Sequence, residues 1–199
     1  DTPWAAAVLG ELVAEHTDFP AGVVNIVTAS DHSVGALLSK DPRVDMVSFT
    51  GSTNTGRTVM ADGAATLKKV FLELGGKSAA IVLDDADFNT AALFSAFSMV
   101  THAGQGCALT SRLLVPEQHK DEIVELIKNN FGLVRYGDPA DPKTYMGPLI
   151  SEKQRERVES YIKKGIEEGA RVVAGGGRPE GLDSGWFVQP TVFADVDNS

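Results

Sequence analysis

The sequence predicts an α/β fold built on doubly wound parallel sheets, and three observations lead there. Segments with apolar residues at helical spacing alternate with short β-branched runs, the pattern of parallel strands covered on both faces by helices. Turns bearing glycine or proline separate them. Composition agrees: 43% of the 199 residues are hydrophobic and 23% charged, which is ordinary globular usage and excludes a disordered, collagen-like or coiled-coil chain.

Asp1 or Thr2 can cap a first helix that carries Pro3 in its opening turn and Val8, Leu9, Leu12 and Val13 at helical spacing. Phe19-Pro20-Ala21-Gly22 ends it, and residues 23–27 read as a short buried strand. A helix over 33–39 leads past Asp41-Pro42 to a strand around 46–49. A glycine-bearing turn then opens a helix over 54–64, and 70–74 is the next strand. Beyond Gly75-Gly76 come a strand at 80–83, a helix from Phe88 or Asn89 to Val100, and a strand at 112–115. Helices over 117–131 and 151–169 follow, then strands at 171–174 and 187–193. The run from Gly175 to Pro179 is a surface turn and no phosphate loop, because no helix follows it.

Acidic residues outnumber basic ones, 27 to 18, for a net charge of -9 and no basic cluster. Nucleic acid and anionic membranes are therefore poor partners. The longest apolar stretch, 91–100, falls far short of the ~20 residues a membrane-spanning helix needs. The amino terminus shows no basic region followed by an apolar core, so no secretory signal is visible. One cysteine excludes an intramolecular disulfide and fits a reducing, cytoplasmic setting.

Three segments break the periodic background. Phe49-Thr50-Gly51-Ser52-Thr53-Asn54-Thr55-Gly56-Arg57 is a strand-to-helix turn, either a plain tight turn or a cradle in which first-turn amides and the Ser52 hydroxyl face an anion. It is not the usual dinucleotide fingerprint, since G-x-G-x-x-G occurs nowhere. In Leu72-Glu73-Leu74-Gly75-Gly76-Lys77 a carboxylate sits at a strand end before a Gly-Gly that lets another backbone come close. Glu73 either pairs with Lys77 or Lys68, or lies in an apolar setting that suits it to take a proton from water. In Gly104-Gln105-Gly106-Cys107 the thiol is either a small buried hydrophobe or a nucleophile, the second favoured if a short helix begins at Ala108 and lowers its pKa. His102 lies five residues away, but no cysteine-protease signature surrounds the thiol. His16, His32 and His119 read as scattered and solvated, and no spacing suggests a metal site.

Together and in this order, the three segments resemble the aldehyde dehydrogenase superfamily, with Glu73 standing 34 positions before Cys107. The likeness extends to Phe19 through Val27, to Gly147-Pro148-Leu149-Ile150 and to Gln189-Pro190-Thr191-Val192. The resemblance implies that Cys107 is the nucleophile toward an aldehyde and that its N–H supplies half an oxyanion hole. It implies that Glu73 is the general base. Gly51, Ser52, Thr53 and Gly56 would hold the pyrophosphate of NAD or NADP, and the backbone of Leu74 and Gly75 would border the nicotinamide. Residues 1–74 would be the later part of the cofactor domain, 75–199 part of the catalytic domain, and the full-length parent a homo-oligomer.

The family's upstream asparagine and lysine and its downstream Glu-Glu-Ile-Phe-Gly-Pro motif have no counterpart, so the resemblance implies an internal fragment, inactive alone. Thr28-Ala29-Ser30-Asp31 also departs from the glycines many relatives carry there. A CoA-acylating semialdehyde dehydrogenase is the alternative enzyme, against which Glu73 argues because a thiol acceptor does not need the base that water needs. A non-catalytic fragment or binding module is the alternative from another class.

Overall fold

The computed structural model describes residues 2–197. The chain divides into two compact units, Asp1–Leu74 and Gly75–Ser199.

In the first unit α1 (Pro3–His16) starts at its proline, and Thr2 precedes it without a side-chain capping bond. No residue of α1 is buried, and Val8, Leu9 and Leu12 remain about half exposed. Residues 23–27 join no ladder. A β-branched run becomes a strand only where a neighbour offers backbone partners, and among the described residues none does so here.

After α2 (Ser33–Lys40), β1 (Met46–Gly51), α3 (Thr53–Ala64) and β2 (Lys69–Leu74) form a βαβ unit. Its two strands are parallel and in register from Met46 opposite Lys69 to Gly51 opposite Leu74. Alternate residues of β2 pack toward α3, so a Cβ added at Gly56 would meet Leu74 Cδ2 at 2.9 Å and one added at Gly63 would meet Val70 Cγ2 at 2.8 Å. These two glycines, two helical turns apart, let α3 lie close on the strand. Lys68 is buried and donates to the carbonyls of Leu38 (3.2 Å) and Asp41 (2.7 Å), tying the end of α2 to the start of β2.

The second unit contains β3 (Ala79–Ile81), α4 (Phe88–Val100), β4 (Arg112–Leu114), α5 (Lys120–Gly132), α6 (Glu152–Glu167), β5 (Arg171–Ala174) and β6 (Val192–Ala194). β3 and β4 pair in parallel, with Ala80 opposite Leu113. The last pair differs from expectation: β5 and β6 are antiparallel, and residues 187–191 stand outside the ladder. The core is a helix pair. Ala92, Ala96 and Val100 of α4 recur every fourth residue, as do Ile123, Ile127 and Phe131 of α5, and all six are buried in one cluster with Val82, Val134 and Met146. Small residues on one helix admit large ones from the other, and each large side chain removed from water contributes about 1.5–3 kcal/mol. A second cluster gathers Leu149, Ile162 and Val188.

The helix expected from residue 117 begins three residues later, because 117–119 form a tight 3₁₀ turn. There His119 is half buried with its ring 4.6 Å from that of Phe88, so it is not solvated as the sequence suggested.

Candidate active site

In the first unit the candidate residues meet at one edge of a sheet. β1 ends at Gly51, Ser52 caps α3, and Thr53 is its first residue. The Ser52 Oγ accepts from the Thr55 N–H at 3.2 Å and lies 2.9 Å from Thr55 Oγ1, while its carbonyl accepts from Gly56 N–H at 2.9 Å. The N–H groups of Thr53 and Asn54 precede the first intrahelical acceptor, so they are free of the helix's own ladder. A twelve-residue helix adds its positive end at the carboxyl edge of a parallel strand. Because β1 and β2 run in parallel, the same edge carries Glu73 and Leu74, opposite Thr50 and Gly51.

Glu73 corrects two expectations. Leu72 and Leu74 turn toward α3, which places Glu73 on the other face, where it is exposed rather than set among apolar groups. Nor does it pair with Lys68, whose ammonium is taken by the two carbonyls of the α2 end. Gly75 and Gly76 also differ from expectation, since a Cβ added at either meets no atom within 4 Å.

In the second unit α4 delivers the thiol loop. Past Val100 the chain makes a tight turn over Thr101–Gly104 in which His102 (φ 52°), Ala103 (φ 55°) and Gly104 (φ 74°) are all left-handed. Glycine takes this conformation freely, whereas each of the other two costs about 1–2 kcal/mol. Ala103 is held by packing against both core clusters. The Thr101 hydroxyl donates to Phe97 O at 3.0 Å, and the Tyr145 hydroxyl donates to the same carbonyl at 3.1 Å.

Cys107 then emerges exposed in a turn with Ala108. No helix starts at Ala108, so the helix-end activation anticipated from the sequence has no helix to act through. An open groove of ≈ 570 Å³ runs along α4 beside Phe97, Thr101 and Tyr145.

Sequence reasoning missed Gln105 as anything beyond a motif letter. Its backbone N–H and its Nε2 both donate to His102 O, at 3.2 and 3.0 Å, and its Oε1 accepts from the Ile150 N–H at 3.0 Å. Only the recurrence of Gly147-Pro148-Leu149-Ile150 among the recognised segments hinted at the far partner. Among the described residues no group of three or more His, Cys, Asp or Glu side chains comes together in a way that could hold a metal ion.

Residues 1–199 match the family model described as the aldehyde dehydrogenase family. A Staphylococcus saprophyticus protein, named provisionally as an aldehyde dehydrogenase, is 46% identical over 200 residues, covering 100% of this chain and 42% of the relative. The solved structure of Mycobacterium tuberculosis aldehyde dehydrogenase complexed with NAD+ superposes with a TM-score of 0.94 at 53% identity, over 99% of this chain and 40% of that one. A mutant of aldehyde dehydrogenase C from Pseudomonas syringae, complexed with NAD+ and octanal, gives 0.95 at 38% identity over 99% and 41%. The chain thus spans less than half the length of these relatives.

Proposed function

The chain belongs to the aldehyde dehydrogenase family, and from that premise we propose that the protein built on it oxidises an aldehyde to a carboxylic acid with NAD+ or NADP+. The observation that carries the reading is an exposed thiol, on a loop of left-handed backbone, in a chain matched to that family from end to end.

The Ser52 turn fits a pyrophosphate: free first-turn amides, a capping hydroxyl and the positive end of α3 face the same edge. Gly51, Ser52, Thr53 and Gly56 would form that cradle, with Leu74 and Gly75 bordering the nicotinamide. Bound there, the cofactor supplies the hydride acceptor. Cys107 adds to the aldehyde carbonyl as thiolate, giving a thiohemiacetal, and loss of hydride from that carbon leaves a thioester. Glu73, exposed at a strand end, takes a proton from the water that hydrolyses the thioester. Such a base favours hydrolysis over transfer to a second thiol such as CoA. On this reading 1–74 and 75–199 are parts of the cofactor and catalytic domains. The parent is a cytoplasmic homo-oligomer whose Cys107 stays reduced. Among the described residues no helix is long and apolar enough to cross a membrane.

Rapid-mixing kinetics on the complete protein tests the roles. Cys107→Ala is expected to abolish NAD(P)H formation, burst included. Glu73→Gln is expected to keep a burst of NAD(P)H while steady-state turnover falls about 10²–10⁴-fold. A burst from Cys107→Ala removes the nucleophile, and undiminished turnover in Glu73→Gln removes the base.

A further inference from the structure

We propose that Gln105 is a positioning residue for the thiol, its carboxamide holding the Cys107 loop between the His102 carbonyl and the Ile150 amide. What the thiol does rests on the dehydrogenase reading; the tether itself does not. The carboxamide is used at both ends, Nε2 donating to His102 O and Oε1 accepting from Ile150 N–H, each at 3.0 Å. A backbone carbonyl only accepts and a backbone N–H only donates, so one orientation of the amide serves both partners.

The two anchors are unlike. On the Ile150 side the backbone is fixed: Leu149 is buried, and its N–H donates to Trp186 O at 3.0 Å. Ser151, just beyond, caps α6 by accepting from Gln154 N–H at 3.3 Å. Arg155 lies over the Trp186 ring at 5.0 Å. On the His102 side the backbone is strained, with two consecutive non-glycine residues at positive φ that opening of the turn would relieve. Gln105 thus ties a segment that gains by relaxing to one whose neighbours on both sides are bonded in place. Cys107 is exposed and stands two residues beyond the tie, so its placement follows that of the loop.

The test compares the complete protein with Gln105→Met, which keeps side-chain length and loses both bonds, and Gln105→Glu, which keeps an acceptor for Ile150 N–H and loses the donor. Three readouts serve: alkylation of Cys107 by iodoacetamide as a function of pH, steady-state kinetics with separate NAD+ binding, and hydrogen exchange at the Ile150 amide. Gln105→Met is expected to lower kcat about 10–100-fold while NAD+ binding stays within about twofold, since a displaced nucleophile harms chemistry and not cofactor affinity. Its alkylation profile is expected to move away from the parent's, and Gln105→Glu to fall between the two with Ile150 still protected. A Gln105→Met protein with the parent's kcat and alkylation profile overturns the proposal, as does an equal loss in kcat and NAD+ binding. Should Gln105→Met fail to fold, Gln105→Glu and the parent's own exchange decide, and an Ile150 amide exchanging at the unprotected rate overturns it. If the protein oxidises no aldehyde, the dehydrogenase reading falls while alkylation and exchange still judge the tether.

Discussion

Asp87 governs the start of the helix that ends at the thiol loop. Its carboxylate accepts from the N–H groups of Asn89 (3.0 Å) and Thr90 (3.3 Å) and from the Thr90 hydroxyl (3.0 Å). The Thr90 backbone bond, followed by its hydroxyl, holds the Asp87 pKa below its ordinary value. A carboxylate whose pKa is lower folded than unfolded stabilises fully above the unfolded value, near pH ~4, and that contribution disappears as pH falls through the folded one. Asp87→Asn, which keeps an acceptor but no charge, is therefore expected to flatten the acid limb of a melting-temperature profile. Asp87→Ala is expected to lower the melting temperature by a few degrees at neutral pH as well. His102 makes an opposite case. It is exposed at φ 52°, so His102→Gly removes strain without removing core packing. Denaturant unfolding is expected to find it neutral to about 1 kcal/mol more stable, glycine's entropy cost offsetting part of the relief.

At the scale of elements, the close approach of α3 to β2 makes a sharp prediction. Gly63→Ala places a methyl 2.8 Å from Cγ2 of Val70, a side chain stiff at χ1. Overpacking of this kind costs about 1–3 kcal/mol, from which the about 0.5–1 kcal/mol that alanine gains over glycine in a helix is subtracted. Gly76→Ala meets open space and serves as the control; equal unfolding midpoints for the two would contradict the packing described. The same elements show what a sequence can carry. Helices α2, α3 and α4, the β1 and β2 strands and β5 are legible to within about two residues, because periodicity and caps are local. Residues 23–27 and 187–191 are not, because a strand exists only with a partner, and β-branching says nothing about whether one is present. Ser52, Glu73 and Cys107 stand out through motif and spacing, whereas the exposure of Glu73 and the helix-free turn at Cys107 do not. The Gln105 bond to Ile150 crosses 45 positions, and no local pattern encodes such a contact. Residues 107 and 108 form a turn where the sequence suggests that a helix begins.

Over the whole molecule the accessible surface is 13896 Å². Even two separate compact globules of these sizes would expose together only roughly 11,000 Å². The excess is rich in apolar side chains: Trp4, Phe19, Val27, Leu67, Phe71, Phe94 and Leu133 each expose more than half of their area. Exposed apolar surface on this scale drives association. The 199-residue chain by itself is expected to self-associate in light scattering and to bind a hydrophobic dye. It is also expected to form no NADH with any aldehyde, since it spans only 42% of a relative's length. A monodisperse, monomeric sample with robust turnover would contradict both expectations.

The Gln105 tie also sets a clock on biosynthesis. Its partner, Ile150, is translated 45 residues after it, and Leu149 in turn waits for Trp186 to accept its N–H. At about 5–20 residues per second, roughly 4–16 s pass between the emergence of Cys107 and that of the last strut behind its loop. Throughout that interval Cys107 is carried on an unanchored nascent segment, open to oxidants and electrophiles.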